Sequence, residues 1–123
     1  MNIYFLLAGS LALGTVLVHC IRGGRHVVAP MLEAHELNDT VKTVLFGCWH
    51  AFTLLYLAIA LGFFWAAWHP GAISLAYQGA GISVLLAGMS IVVILRFKQR
   101  FMRLPHWLMF SAVAVAGIAG LAE

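Results

Sequence analysis

The chain has 123 residues, 63% of them apolar and only 9% charged, with a mean hydropathy of +0.99. A soluble domain carries about a quarter of its residues as charges, so this composition excludes one and leaves a single integral membrane domain over residues 1–123. The basic residues behind the net charge of +3 are confined to two segments, which points to membrane topology and not to nucleic acid, and two cysteines make neither a disulfide framework nor a paired zinc motif.

Four apolar segments account for the excess: Ile3–Ile21, Val44–Trp68, Ala72–Leu95 and Leu104–Ala122. Each approaches or meets the ~20 residues needed to cross a ~30 Å hydrocarbon core. Their apolar character is continuous and does not alternate, which excludes a β-barrel. The first segment reads as a retained span: only Met1-Asn2 precede it, and the arginines follow it at Arg22 and Arg25. The expected fold is all-α, an antiparallel four-helix transmembrane bundle.

All seven basic residues lie between spans one and two (Arg22, Arg25, Lys42) or between spans three and four (Arg96, Lys98, Arg100, Arg103). The positive-inside rule puts both segments in the cytoplasm and both termini on the non-cytoplasmic side.

Span one carries small residues four apart, Ala8/Ala12 and Ser10/Gly14, with His19 and Cys20 at its cytoplasmic end. Gly23-Gly24 is expected to break that helix, and Pro30 to open a short one over Met31–Leu37. Asp39 or Thr40 is the expected cap of span two. Span two has a stripe at Ala58, Gly62 and Ala66 and ends in an aromatic belt, Phe63-Phe64-Trp65 and Trp68. His69-Pro70-Gly71 reads as a tight turn. Span three repeats the stripe at Gly79, Ser83 and Ala87, and span four at Ala112, Ala116 and Gly120. Such stripes let backbones approach closely, within the bundle or against another copy or subunit. Arg96, Lys98, Arg100 and Arg103, interleaved with Phe97, Phe101 and Met102, suit anionic headgroups at roughly 1 kcal/mol per basic residue. Pro105 suits the first turn of span four, and Trp107 its interfacial anchor. No internal repeat marks an inverted-repeat transporter.

Chemistry gathers on one side. Five of the six histidines (His19, His26, His35, His50, His106), both cysteines, and Glu33, Glu36 and Asp39 fall in the cytoplasmic half or loops. His50, in Phe46-Gly47-Cys48-Trp49-His50-Ala51-Phe52-Thr53, is placed roughly 10–12 Å past Lys42 along the helix. An ionisable residue at that depth is expected to face the bundle interior and have a partner. Cys48 lies about 200° around the helix and cannot share a ligand with it. His50 with His19, or with His106 in place of either, is a candidate bis-imidazole haem pair. A transition-metal site from His19, Cys20, His50 and His106 is chemically sensible, though no short-range spacing supports it. The simpler reading is an imidazole that locks helix packing through one hydrogen bond. His35-Glu36-Leu37-Asn38-Asp39 approximates the zinc-protease pattern HExxH, with Asp where the second ligand belongs. No catalytic triad or nucleophile–base pair is readable.

His19, Gly23-Gly24, Trp49-His50 and Leu104-Pro105-His106-Trp107 resemble landmarks of small bacterial four-span membrane proteins of unassigned function. The resemblance covers nearly the whole chain and implies the fold and a bacterial inner membrane, but no activity, cofactor or catalytic residue. The expected function is therefore non-enzymatic: a multi-pass protein acting through helix packing, as a homo-oligomer or as an accessory subunit of a larger membrane complex. A haem- or metal-binding redox protein is the alternative. A small-solute or proton pathway is a third reading, disfavoured because no Asp, Glu, Lys or Arg lies inside a span.

Overall fold

The structure, a computed structural model, describes all of residues 1–123 and is helical throughout, with no strand. Helix α1 (Ile3–Val18) runs without interruption into a π-helical segment (His19–Val28) and then α2 (Ala29–Glu33). After a turn come α3 (Asp39–Trp68), a 3-10 turn (Pro70–Ala72), α4 (Ile73–Arg96) and α5 (His106–Leu121). Three stretches are long and apolar enough to cross a membrane: Ile3–Glu33 with 31 residues, Asp39–Trp68 with 30 and Pro70–Arg96 with 27. Helix α5 is apolar but has 16 residues, about 24 Å at 1.5 Å per residue.

Helix α1 starts on Asn2, whose side-chain oxygen accepts from the Tyr4 and Phe5 N–H groups at 3.0 and 3.1 Å. The same residue donates its backbone N–H to the Ala67 carbonyl (2.9 Å) and its side-chain amide to the Gly120 carbonyl (2.8 Å). One asparagine thus ties the start of α1 to the ends of α3 and α5.

The expected break at Gly23-Gly24 does not occur. Gly23 is instead a seat for the Trp49 indole: a Cβ there would lie 2.3 Å from Trp49 Cη2. Pro30, which has no N–H to give, falls just after the wide π turns, a local adjustment that apolar helices use around such residues. The short helix is accordingly Ala29–Glu33 and not Met31–Leu37. The chain leaves it through a turn that Lys42 closes, donating from Nζ to the Leu32 carbonyl at 2.8 Å. Neither Asp39 nor Thr40 caps α3. Asn38 does, its side-chain oxygen accepting from the Val41 N–H at 2.9 Å, while Asp39 supplies a first-turn negative charge.

Helix α4 ends in a Schellman turn: Gln99 N–H bonds the Ile94 carbonyl and Lys98 N–H the Leu95 carbonyl, with Lys98 at φ 51°. At the start of α5, Pro105 sits just before the first helical residue, its carbonyl accepting from Leu108 and Met109.

Helix α1 packs against α3 and α5, and α4 against α5 and α3. The core is aromatic on alanine and glycine: Phe5, Tyr56, Phe63 and Phe110 are buried with Ala8, Ala12, Ala60, Ala76 and Val113. The Phe63 ring lies against Gly79 and Gly117, Phe5 against Gly120, and Phe64 against Gly9. Of the small-residue stripes, Ala66, Gly79, Ser83, Ala87, Ala116 and Gly120 are buried, Gly62 and Ala112 half-buried, and Ala58 exposed. The glycines Gly79 and Gly120 receive aromatic rings from a neighbouring helix, where bare backbone contact was expected. Buried Ser83 donates to the Gly79 carbonyl at 2.8 Å and meets the Tyr56 hydroxyl at 3.4 Å.

Candidate functional site

Where α1 gives way to the π-helical segment, His19 is buried, with 5% of its surface exposed. Its ring stacks on the Trp49 indole with centroids 3.7 Å apart and planes at 18°. Phe52 flanks it at 4.8 Å, and His106 meets it edge-on at 6.4 Å. The local folding that makes this possible is specific. Trp49, Phe52, Tyr56 and Phe63 recur at helical spacing along the inward side of α3, and Gly23 clears the room for Trp49.

These rings wall one side of a cavity of about 250 Å³, which His19 at the end of α1 lines together with residues of α3, α4 and α5. Met89, Ser90, Val93 and Ile94 of α4 line the other side, which opens to the outside of the molecule, with Leu104 just before α5 and His106 and Phe110 in it. No Lys, Arg, Asp or Glu lines it. His19 Nε2 is buried and has no hydrogen-bond partner. Leaving such an atom unpaired costs about 1–3 kcal/mol, so its position asks for an explanation.

His50 is not where its depth suggested. It is exposed on the outer side of α3, touching only Phe46 among aromatic rings, edge-on at 4.4 Å, and it makes no side-chain hydrogen bond. The inward position belongs to its neighbour Trp49, one residue and about 100° away, whose large apolar surface gains more from burial.

Of the four candidate metal ligands the cavity unites two, His19 and His106, while Cys20 is exposed, as is His50. No group of three or more His, Cys, Asp or Glu side chains is placed to hold a metal ion. A bis-imidazole haem would need its macrocycle between His19 and a second ring. The cavity, at about 250 Å³, has the scale of a single ring system and not of a macrocycle. His35 and Glu36 lie exposed in the turn before α3, so the HExxH-like pattern lacks the helix that would align it.

The residues that sequence reasoning missed are Trp49, Phe52, Ser90 and Phe110. The signal for the first two was present, since Trp49 and Phe52 share a helical side with Tyr56 and Phe63. Ser90 and Phe110 join the site only through packing of α4 on α5. Searches against protein-family models, curated proteins and solved structures find no match to this chain.

Proposed function

We propose that the chain is a four-span protein of a bacterial inner membrane. Its helices run antiparallel, with both termini on the non-cytoplasmic side, and it works without chemistry of its own, by packing against other membrane helices. Three features support the topology. Asn2 bonds to the ends of α3 and α5, the Pro70–Ala72 turn joins α3 and α4 directly, and the basic residues occupy alternate connections. The exposed Arg96, Lys98, Arg100 and Arg103 then meet anionic headgroups.

The observation that carries the packing role is the first half of α3. From Val41 to Ala51 only Lys42 and Trp49 are even half-buried, so Gly47 and Ala51 present an outward face with His50 at one edge and Cys48 at the other. An imidazole on an apolar helix surface is favoured where a protein partner satisfies it, and Gly47 lets a second helix come close. The partner is a second copy of this chain or a larger membrane complex.

The test uses Cys48, which is exposed at the edge of that face. In a Cys20→Ser background, oxidation in native membranes is expected to give a Cys48-linked adduct. Its mass separates a homodimer from a complex with another subunit. A chain that stays monomeric in native membranes and in lipid nanodiscs, with no adduct, would overturn the packing role.

A further inference from the structure

We propose that the cavity beside His19 binds a neutral, lipid-soluble quinone or quinol, with the ring inside and a ring oxygen hydrogen-bonded to the His19 imidazole. This goes beyond the packing role and uses a different face of the molecule.

Four observations define the ligand. First, the room is that of one substituted ring: a cavity of about 150 Å³ takes up benzene, and drug-sized pockets begin at about 300 Å³. This one has about 250 Å³. Second, its walls suit a flat apolar ring, since Trp49, Phe52 and Phe110 all line it. Third, no ionised group of the Lys, Arg, Asp or Glu kind faces it, so a charged headgroup would lose its hydration without compensation. Fourth, His19 lines the cavity, is only 5% exposed, and has in Nε2 a nitrogen with no partner in the protein, which a small turn of the ring would bring to a ligand. An imidazole nitrogen serves both redox forms of such a ligand: as N–H it donates to a quinone carbonyl, and unprotonated it accepts from a quinol hydroxyl.

Access comes from the bilayer. Met89 and Val93 line the cavity and are also exposed on the outside of α4, at 54% and 41%. The cavity therefore reaches the lipid-facing surface, where a hydrocarbon tail attached to the ring would leave. His106, whose ring stands 6.4 Å from His19, supplies a second polar edge for the far side of the ring.

The experiment measures saturable quenching of tryptophan fluorescence by a decyl-substituted benzoquinone. It uses the full chain in lipid nanodiscs with Trp65→Phe and Trp68→Phe, which leaves Trp49 at the cavity and Trp107 near it. Saturable quenching is expected, about tenfold weaker in His19→Phe, which keeps a ring on Trp49 but offers no hydrogen bond; tenfold corresponds to 1.4 kcal/mol, the scale of one such bond. Ser90→Leu, which fills the cavity from α4, should remove the saturable component, and it decides the matter if His19→Phe does not fold. The proposal is overturned if quenching is unsaturable and equal in all variants, if His19→Phe binds as tightly as the parent, or if 1-decanol displaces the quinone as well as a second quinone does. The Cys48 adduct is read separately in the same variants, so loss of quinone binding and loss of self-association are distinguishable.

Discussion

Phe5 rests on Gly120, Phe63 on Gly79 and Gly117, and Trp49 on Gly23. At each contact the glycine is needed for space and not for unusual dihedrals, since no glycine in the chain has positive φ. Gly117 is tightly constrained: an added Cβ would lie 2.8 Å from Phe63 Cζ and 3.2 Å from Ala80 Cβ. Phe63 is fully buried and already touches Gly79, so it has nowhere to retreat. Gly117→Ala is expected to destabilise the protein by about 1–3 kcal/mol in thermal unfolding. Adding Phe63→Leu should recover part of that loss, which a double-mutant cycle would read as coupling. Gly81→Ala is the control, because nothing lies within 4 Å of its added Cβ. It should be neutral or stabilising by up to about 1 kcal/mol.

Asn2 makes a different residue-level argument, since one side chain does two jobs. Its oxygen caps α1 and its amide donates to Gly120. Asn2→Asp keeps the capping oxygen and loses the donor, whereas Asn2→Ala loses both. Chemical denaturation should rank parent, Asp and Ala in descending stability, with the Ala variant down by about 1–2 kcal/mol. Equal stability of the Asp variant and the parent would mean that the Gly120 bond contributes nothing.

At the scale of elements, helix ends matter more than helix middles. The Schellman turn closing α4 puts Lys98 at φ 51°, a conformation that costs a residue with a Cβ about 1 kcal/mol and glycine almost nothing. Lys98→Gly is therefore expected to raise stability by about 1 kcal/mol while leaving the helix boundary at Arg96 unchanged by amide exchange. The same ends show what the sequence could and could not reveal. The apolar runs announced the long helices, and Pro70 marked the turn between α3 and α4, because length and hydropathy are local properties. The course of residues 19–33 was not legible, since Gly23 reads as a breaker until Trp49 is known to lie on it. His50 misled for a related reason. Its neighbour Trp49 competes for the inward position, and that competition is decided by how α1 and α3 meet. The pairing of His19 with His106 belongs to α1 and α5 together, so only their packing brings the site into being.

For the whole molecule the open geometry is that of spans against bilayer. Helix α3 is about 45 Å long and α5 about 24 Å, while the apolar core of a bilayer is ~30 Å. The long helix has exposed Trp65 and Trp68 at one end; under the proposed topology they would set one interface there and leave the first turns of α3 outside the other. Under that topology the short helix would reach the second interface through Trp107, whose indole N–H donates to the Phe101 carbonyl at 3.1 Å, and through the flanking basic segment. Its deficit is small enough to be met by local thinning or by snorkelling of Arg103. In this arrangement the Pro70–Ala72 turn and the Arg96–Arg103 segment lie on opposite sides of the membrane. Single cysteines at Gly71 and Gln99, both exposed positions, in a Cys20→Ser, Cys48→Ser background test it directly. A membrane-impermeant maleimide applied to intact cells should label Gly71→Cys at once and Gln99→Cys only after lysis. Labelling of both positions in intact cells would mean that α4 does not cross the membrane, and the reversed pattern would turn the bundle over without changing its packing.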